Sequence, residues 1–159
     1  MTEQFIAVVV PALISEPPYS IEFEPTKAWD TFRKLFPSGM VEIIVSQGEL
    51  TIYGDEEARV QEPPLPPNAR ANEVIGPVAE NYVPITKITH FDEGTGQWVV
   101  DQEIRLPGEI GLVCGPAIFA GGTREDDEND VTVQSGLSPN QIALLAYYLQ
   151  VPGFIMKEV

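Results

Sequence analysis

Proline is the feature that most limits what this chain can fold into. Fifteen of them are spread along 159 residues, and each fixes φ and removes a backbone donor, so helices and central strands must start or stop beside them. Pro11 closes the first apolar run, residues 4–10, whose β-branched character predicts a strand buried on both faces. Pro25 stands where a first helical residue costs no hydrogen bond, and Trp29, Phe32, Leu35 and Phe36 recur at helical spacing, which predicts a helix over 25–36 ended by Pro37 and Gly39. A short strand is expected before it, at 20–23.

Residues 40–46 and 49–53 flank Gln47-Gly48 as a β-hairpin, and residues 81–91 and 97–104 flank a turn at 92–96 as a second. Ile85, Ile88 and Phe91 break strict alternation, so a bulge or a register change is expected in the second hairpin. Between the hairpins, Glu62-Pro-Pro-Leu-Pro-Pro67 forces an extended connection, and Asn68 can cap a short helical turn reaching Val74. The run 111–120 predicts a strand interrupted at Gly115-Pro116. A polar acidic loop should follow to Asp130, then a short strand at 131–133. Ser138-Pro139-Asn140-Gln141 carries an N-cap, a proline at the first position and a capping-box glutamine, and therefore opens a helix that Val151-Pro-Gly153 closes; residues 154–156 can add a last strand. The fold class is therefore α+β: a mostly antiparallel sheet of two hairpins plus terminal strands, packed by helices at 25–36 and 138–150, in a single domain spanning 1–159 with the proline-rich connection at 62–67.

Composition narrows the function. Nine Lys and Arg against 24 Asp and Glu leave a formal net charge of −15, which repels nucleic-acid backbones and anionic lipid, so direct nucleic-acid binding and membrane binding are not expected. One Cys and one His cannot make a disulfide or supply a zinc site, and no cofactor is implied. The first apolar run is far shorter than a membrane span and lacks a preceding basic region, which points to the cytoplasm. Exposed strand edges leave homo-oligomerisation open.

Few residues suggest chemistry. His90 lies beside Asp92, but no Gly-x-Ser-x-Gly elbow accompanies the pair, and no catalytic residue is assigned. Cys114 has no basic neighbour in sequence to activate it. The acidic run 125–130 offers oxygen ligands but has Val131 where a calcium loop needs its turning glycine and Leu137 where it needs a glutamate, so a solvated loop is expected. Gly121-Gly122 beside Arg124 could expose N–H groups to a phosphate, and Arg59, Arg70 and Arg105 could join them if the fold brings the four arginines together. Tyr53, Tyr82 and Trp98 would then be available for stacking.

Asn68-Ala-Arg-Ala71, preceded by the acidic Asp55-Glu56 and followed by Gly115-Pro-Ala-Ile-Phe-Ala-Gly-Gly122 and a C-terminal helix, resembles a small protein family common in bacteriophages and mobile elements. The likeness covers the central and C-terminal two thirds, while the first 40 residues and the hairpin at 81–104 depart from it. It implies a phage-type accessory setting and no catalytic residues. Two functions follow as expectations. One is a non-enzymatic acidic protein that occupies the basic surface of a host protein, such as a nucleic-acid-handling or defence factor, and inhibits it. The alternative is an oligomeric small-ligand-binding protein that sequesters a phosphorylated or cyclic nucleotide through Arg59, Arg70, Arg105, Gly121, Gly122 and Arg124.

Overall fold

The computed structural model describes residues 5–47, 49–58, 60–78, 85–105, 113–128 and 130–159. Its frame is a six-stranded sheet. In chain order the contributing strands are β1 (Ile6–Val10), β2 (Tyr19–Glu22), β3 (Val41–Gln47), β4 (Leu50–Asp55), β7 (Ala117–Ala120) and β10 (Ile155–Lys157). Across the sheet they lie in the order β10-β2-β1-β7-β4-β3, with every neighbouring pair antiparallel except β10 against β2. The remaining strands form two separate hairpins, β5 (Ile85–Asp92) with β6 (Gln97–Arg105) and β8 (Thr123–Asp126) with β9 (Val131–Gln134).

The α+β class holds, and its finer form is corrected. Among the described residues only the 41–55 hairpin joins the main sheet, there are three α-helices rather than two, and one parallel pair makes the sheet mixed. The reason is long-range pairing: β1 and β7 are central because both faces of each are apolar, and such strands can be satisfied only between neighbours and under helices. Ala7, Val9, Ile118 and Ala120 point to one side, where Phe23, Ala28, Phe32, Phe36 and Tyr53 complete a core. Val8, Val10, Ala117 and Phe119 point to the other, where Ala71, Val74, Ile75 and Leu145 cover them. Alternation along single strands thus feeds two cores, with helices on both faces.

The helices show which local signals suffice. α3 (Pro139–Leu149) begins as its sequence requires, with the Ser138 side chain accepting from the Gln141 N–H at 3.1 Å and Gln141 Oε1 accepting from the Ser138 N–H at 2.8 Å. It ends at Gln150, whose positive φ of 58° is a left-handed cap. α2 (Ala69–Val78) is capped by Asn68, whose side-chain oxygen accepts from the Ala71 N–H at 3.1 Å, and it runs past Val74 through Gly76 and Pro77. α1 is shorter than expected: only Ala28–Phe32 is α-helical, continued by a 3-10 turn at Arg33–Leu35. Its start has no side-chain cap, and its aromatic and β-branched residues are weak helix formers, so burial of Phe32 and Phe36 fixes it instead.

Two further expectations change. The predicted acidic loop is partly strand, because Thr123–Asp126 pairs residue for residue with Val131–Gln134. Within the run 111–120, the described residues 113–116 are not strand and β7 begins at Ala117, since Pro116 lacks the donor a central strand needs. Residue 48 in the first turn, 79–84 at the start of the second hairpin and 106–112 before β7 lie outside the described residues. Among the described residues no helix is long and apolar enough to cross a membrane.

Candidate protein-binding site

The hairpin of β5 and β6 carries the most exposed aromatic pair. Its bulge falls between Ile88 and Thr89, so the register after it places Phe91 directly opposite Trp98 and His90 opposite Val99. Residues 93–96 form the turn. Gly96 adopts φ +69°, its N–H reaches the Asp92 carbonyl at 2.8 Å, and the Asp92 carboxylate accepts from the Gly94 N–H at 2.9 Å. This turn chemistry fixes which residues face each other.

Phe91 and Trp98 meet edge to face with ring centroids 5.5 Å apart, yet they remain 50% and 71% exposed. A cross-strand aromatic pair stabilises a hairpin by less than 1 kcal/mol in rough terms, while leaving two large apolar rings in water is unfavourable unless something covers them. Asp92 and the exposed Glu93 sit at the same tip. The arrangement is an aromatic anchor with acidic flanks, the residue chemistry that dominates protein–protein contacts when an opposing surface is basic. His90 is exposed on the same hairpin, on the face opposite the two rings.

Of the candidate ligand residues, Arg70 and the Gly121-Gly122 pair are placed apart. Arg70, at the start of α2, turns its Nη2 onto the carbonyl oxygens of Pro11, Leu13 and Glu16 at 2.7, 2.8 and 2.8 Å, at the end of the sheet where β1 finishes. Gly121 and Gly122 lie at the opposite end, because β7 runs antiparallel to β1 with Val10 against Ala117 and Val8 against Phe119. Each glycine is tied into backbone: the Gly121 N–H donates to Ser135 O at 3.0 Å and the Gly122 carbonyl accepts from Ser135 N at 2.9 Å. A Cβ on Gly121 would overlap the Gly136 carbonyl oxygen, so close approach of two backbone segments explains the glycine. Arg124 is exposed on β8. Arg59 and the side chain of Arg105 lie outside the described residues. Of the aromatics suggested for stacking, Tyr53 is buried in the core and Trp98 is on the hairpin, while Tyr82 is also outside the described residues.

Asn68 and Gln134 are polar groups the fold buries for structural ends. Asn68 Nδ2 bridges the carbonyls of Val10 and Gly115. Gln134 accepts from the Tyr53 hydroxyl and donates from Nε2 to Gly121 O at 2.7 Å and Ser135 O at 2.8 Å. Burial pushes the Tyr53 phenol up to about 12 from 10.0, and raises Tyr19 with a smaller contribution from Glu16.

One open groove of about 660 Å³ lies beside α1 and β10, lined by Lys27, Lys34 and Lys157 but also by Glu22, Glu24, Asp30 and Glu158. Its charges alternate, Lys27 already pairs with Glu24 at 3.5 Å, and Lys157 sits over the Tyr19 ring at 4.4 Å. Such a surface has no single sign with which to attract an anion. In the acidic hairpin, Thr132 Oγ1 donates to Glu125 Oε1 at 3.0 Å, and among the described residues no group of three or more His, Cys, Asp or Glu is arranged to hold a metal.

Sequence reasoning located the hairpin but did not single out Phe91 as an anchor. The signal available was the turn at 92–96, which sets the register that brings it to Trp98. Comparison with family models, curated proteins and solved structures found no match.

Proposed function

We propose that this chain is a non-enzymatic acidic binding protein that docks through the tip of its β5–β6 hairpin onto a basic, apolar-floored groove of another protein. The observation that carries the reading is the exposed Phe91–Trp98 pair beside Asp92 and Glu93 in a molecule of net charge −15. The rings supply contact area and the acidic field supplies attraction and orientation. The setting we propose is that of a phage-type accessory protein whose target is a nucleic-acid-handling or defence factor, since such proteins expose basic grooves for phosphate, and occupation of the groove inhibits them.

The test is direct binding to a panel of purified basic nucleases and restriction enzymes at low and high salt. The expected result is a complex whose association slows steeply as salt rises. Trp98→Ala should weaken it by about 2 kcal/mol, roughly thirtyfold, without unfolding the chain. Absence of any salt-sensitive complex across the panel removes the proposal.

A further inference from the structure

We propose that the outward face of α3 is the contact between two copies of this chain. Charged residues make up 21% of the sequence, yet none occurs from residue 131 through 156, a stretch that includes all of α3. The inner side of the helix is committed to the core through Leu145, with Ile142 and Leu149 packed against the same cluster. Its outer side is apolar too: Leu144, Tyr147 and Tyr148 are 40%, 75% and 37% exposed, and Ala143 is exposed beside them. A surface helix ordinarily carries polar residues on its solvent face, and this one instead presents two aromatic rings packed edge to face at 5.3 Å.

Charge identifies the occupant. Two copies at −15 each repel wherever carboxylates face each other, so self-association is confined to a surface without them. A basic partner, in contrast, gains nothing from a face that carries no charge. The face is also complementary to itself. Ala143 and Tyr147 lie four residues apart on one ridge, and Leu144 and Tyr148 on the next. In an antiparallel two-fold crossing centred midway between Ala143 and Tyr147 on the outer face, the Tyr147 ring of each copy fits over Ala143 of the other, large against small. An eleven-residue helix is roughly 16 Å long, and its face alone is smaller than the roughly 800 Å² per partner of a standard interface. The expected dimer is therefore weak, with dissociation near the micromolar range.

Sedimentation equilibrium of the intact chain, across concentration and at about 0.05 and about 0.5 M NaCl, tests this. The expected result is a monomer–dimer equilibrium that strengthens with salt as the mutual repulsion is screened, the opposite sign from docking on a basic partner. Failure of either proposal is thus recognised separately. Tyr147→Glu should weaken the dimer at least tenfold and Tyr147→Phe should retain it, while Trp98→Ala should leave it unchanged; circular dichroism verifies that each variant is folded. Leu144→Glu gives a second disruption on the neighbouring ridge. A chain monomeric at every concentration and salt, or a dimer indifferent to both glutamate variants, overturns the inference.

Discussion

Asn68 Nδ2 lies 2.8 Å from the carbonyl oxygen of Val10, so the residue that caps α2 also fastens the end of the central strand β1. The same nitrogen reaches Gly115 O at 2.9 Å, and Asn68 is fully buried. Replacing it with Ala removes the cap and takes a hydrogen bond from each of two buried carbonyls. The expected loss is about 2 to 4 kcal/mol by urea denaturation, combining a cap with the lost hydrogen bonds to buried acceptors. Asn68→Asp keeps the cap acceptor but turns a carboxylate oxygen toward two carbonyls, and should be at least as damaging as Ala.

Thr51 presents the reverse case. It is completely buried in β4, and its hydroxyl has no hydrogen-bond partner among the described residues. Thr51→Val keeps the branched shape and removes a desolvated polar atom, so it should stabilise the fold by about 1 kcal/mol. A lower denaturation midpoint for the Val variant would contradict this account.

Arg70 holds the segment after β1 by three carbonyls, and that segment leaves Leu13 and Ile14 exposed. Arg70→Ala should release it. Hydrogen exchange of amides in residues 12–16 should accelerate, with β7 unaffected, because the lost contacts all lie in that one segment.

Tyr53 links stability to alkaline pH. Its folded-state value, raised by burial to about 12, exceeds the ordinary 10.0, so the neutral phenol is favoured in the folded chain. Its contribution is complete below pH 10 and is lost as pH rises from 10 through 12, where the unfolded chain ionises first. Tyr53→Phe should be less stable than the parent at pH 8 because Gln134 loses the hydroxyl, and the gap should narrow by pH 11. Denaturation curves of both proteins at the two pH values measure this.

Gly121→Ala should destabilise by about 1 to 3 kcal/mol, since its new Cβ would overlap the backbone oxygen of Gly136 and moving the two segments apart strains the Gly121 to Ser135 hydrogen bond. Urea denaturation of the Ala variant checks it. An unchanged midpoint would mean that the two segments separate freely at this corner.

Elements governed by neighbours along the chain were legible. The capping box of α3, the Asn68 cap, the hairpin at 41–55 and the bulge in the second hairpin each depend on a few consecutive residues. α1 was overextended because Trp29 and Phe32 mark a helical face whether one turn or three are formed. β8 was hidden because Thr123-Arg-Glu-Asp126 has the composition of a loop and becomes strand only by pairing with β9. The candidate site was half visible: its hairpin followed from pattern, but the value of Phe91 and Trp98 lay in their exposure, which no single strand reveals.

Taken alone, the sequence determined where α3 and α2 are capped and where the 41–55 hairpin turns, that two faces of β1 must be covered, and that the surface would be strongly acidic. Tertiary structure alone decided that β7 lies between β1 and β4, that Arg70 and Gly121 stand at opposite ends of the sheet, and that the outer ridge of α3 and the hairpin tip remain uncovered. Caps, turns and alternation are satisfied within a few residues of chain. Strand order and exposure depend on which distant surfaces exclude water together, and that free energy belongs to pairs of elements and not to either one.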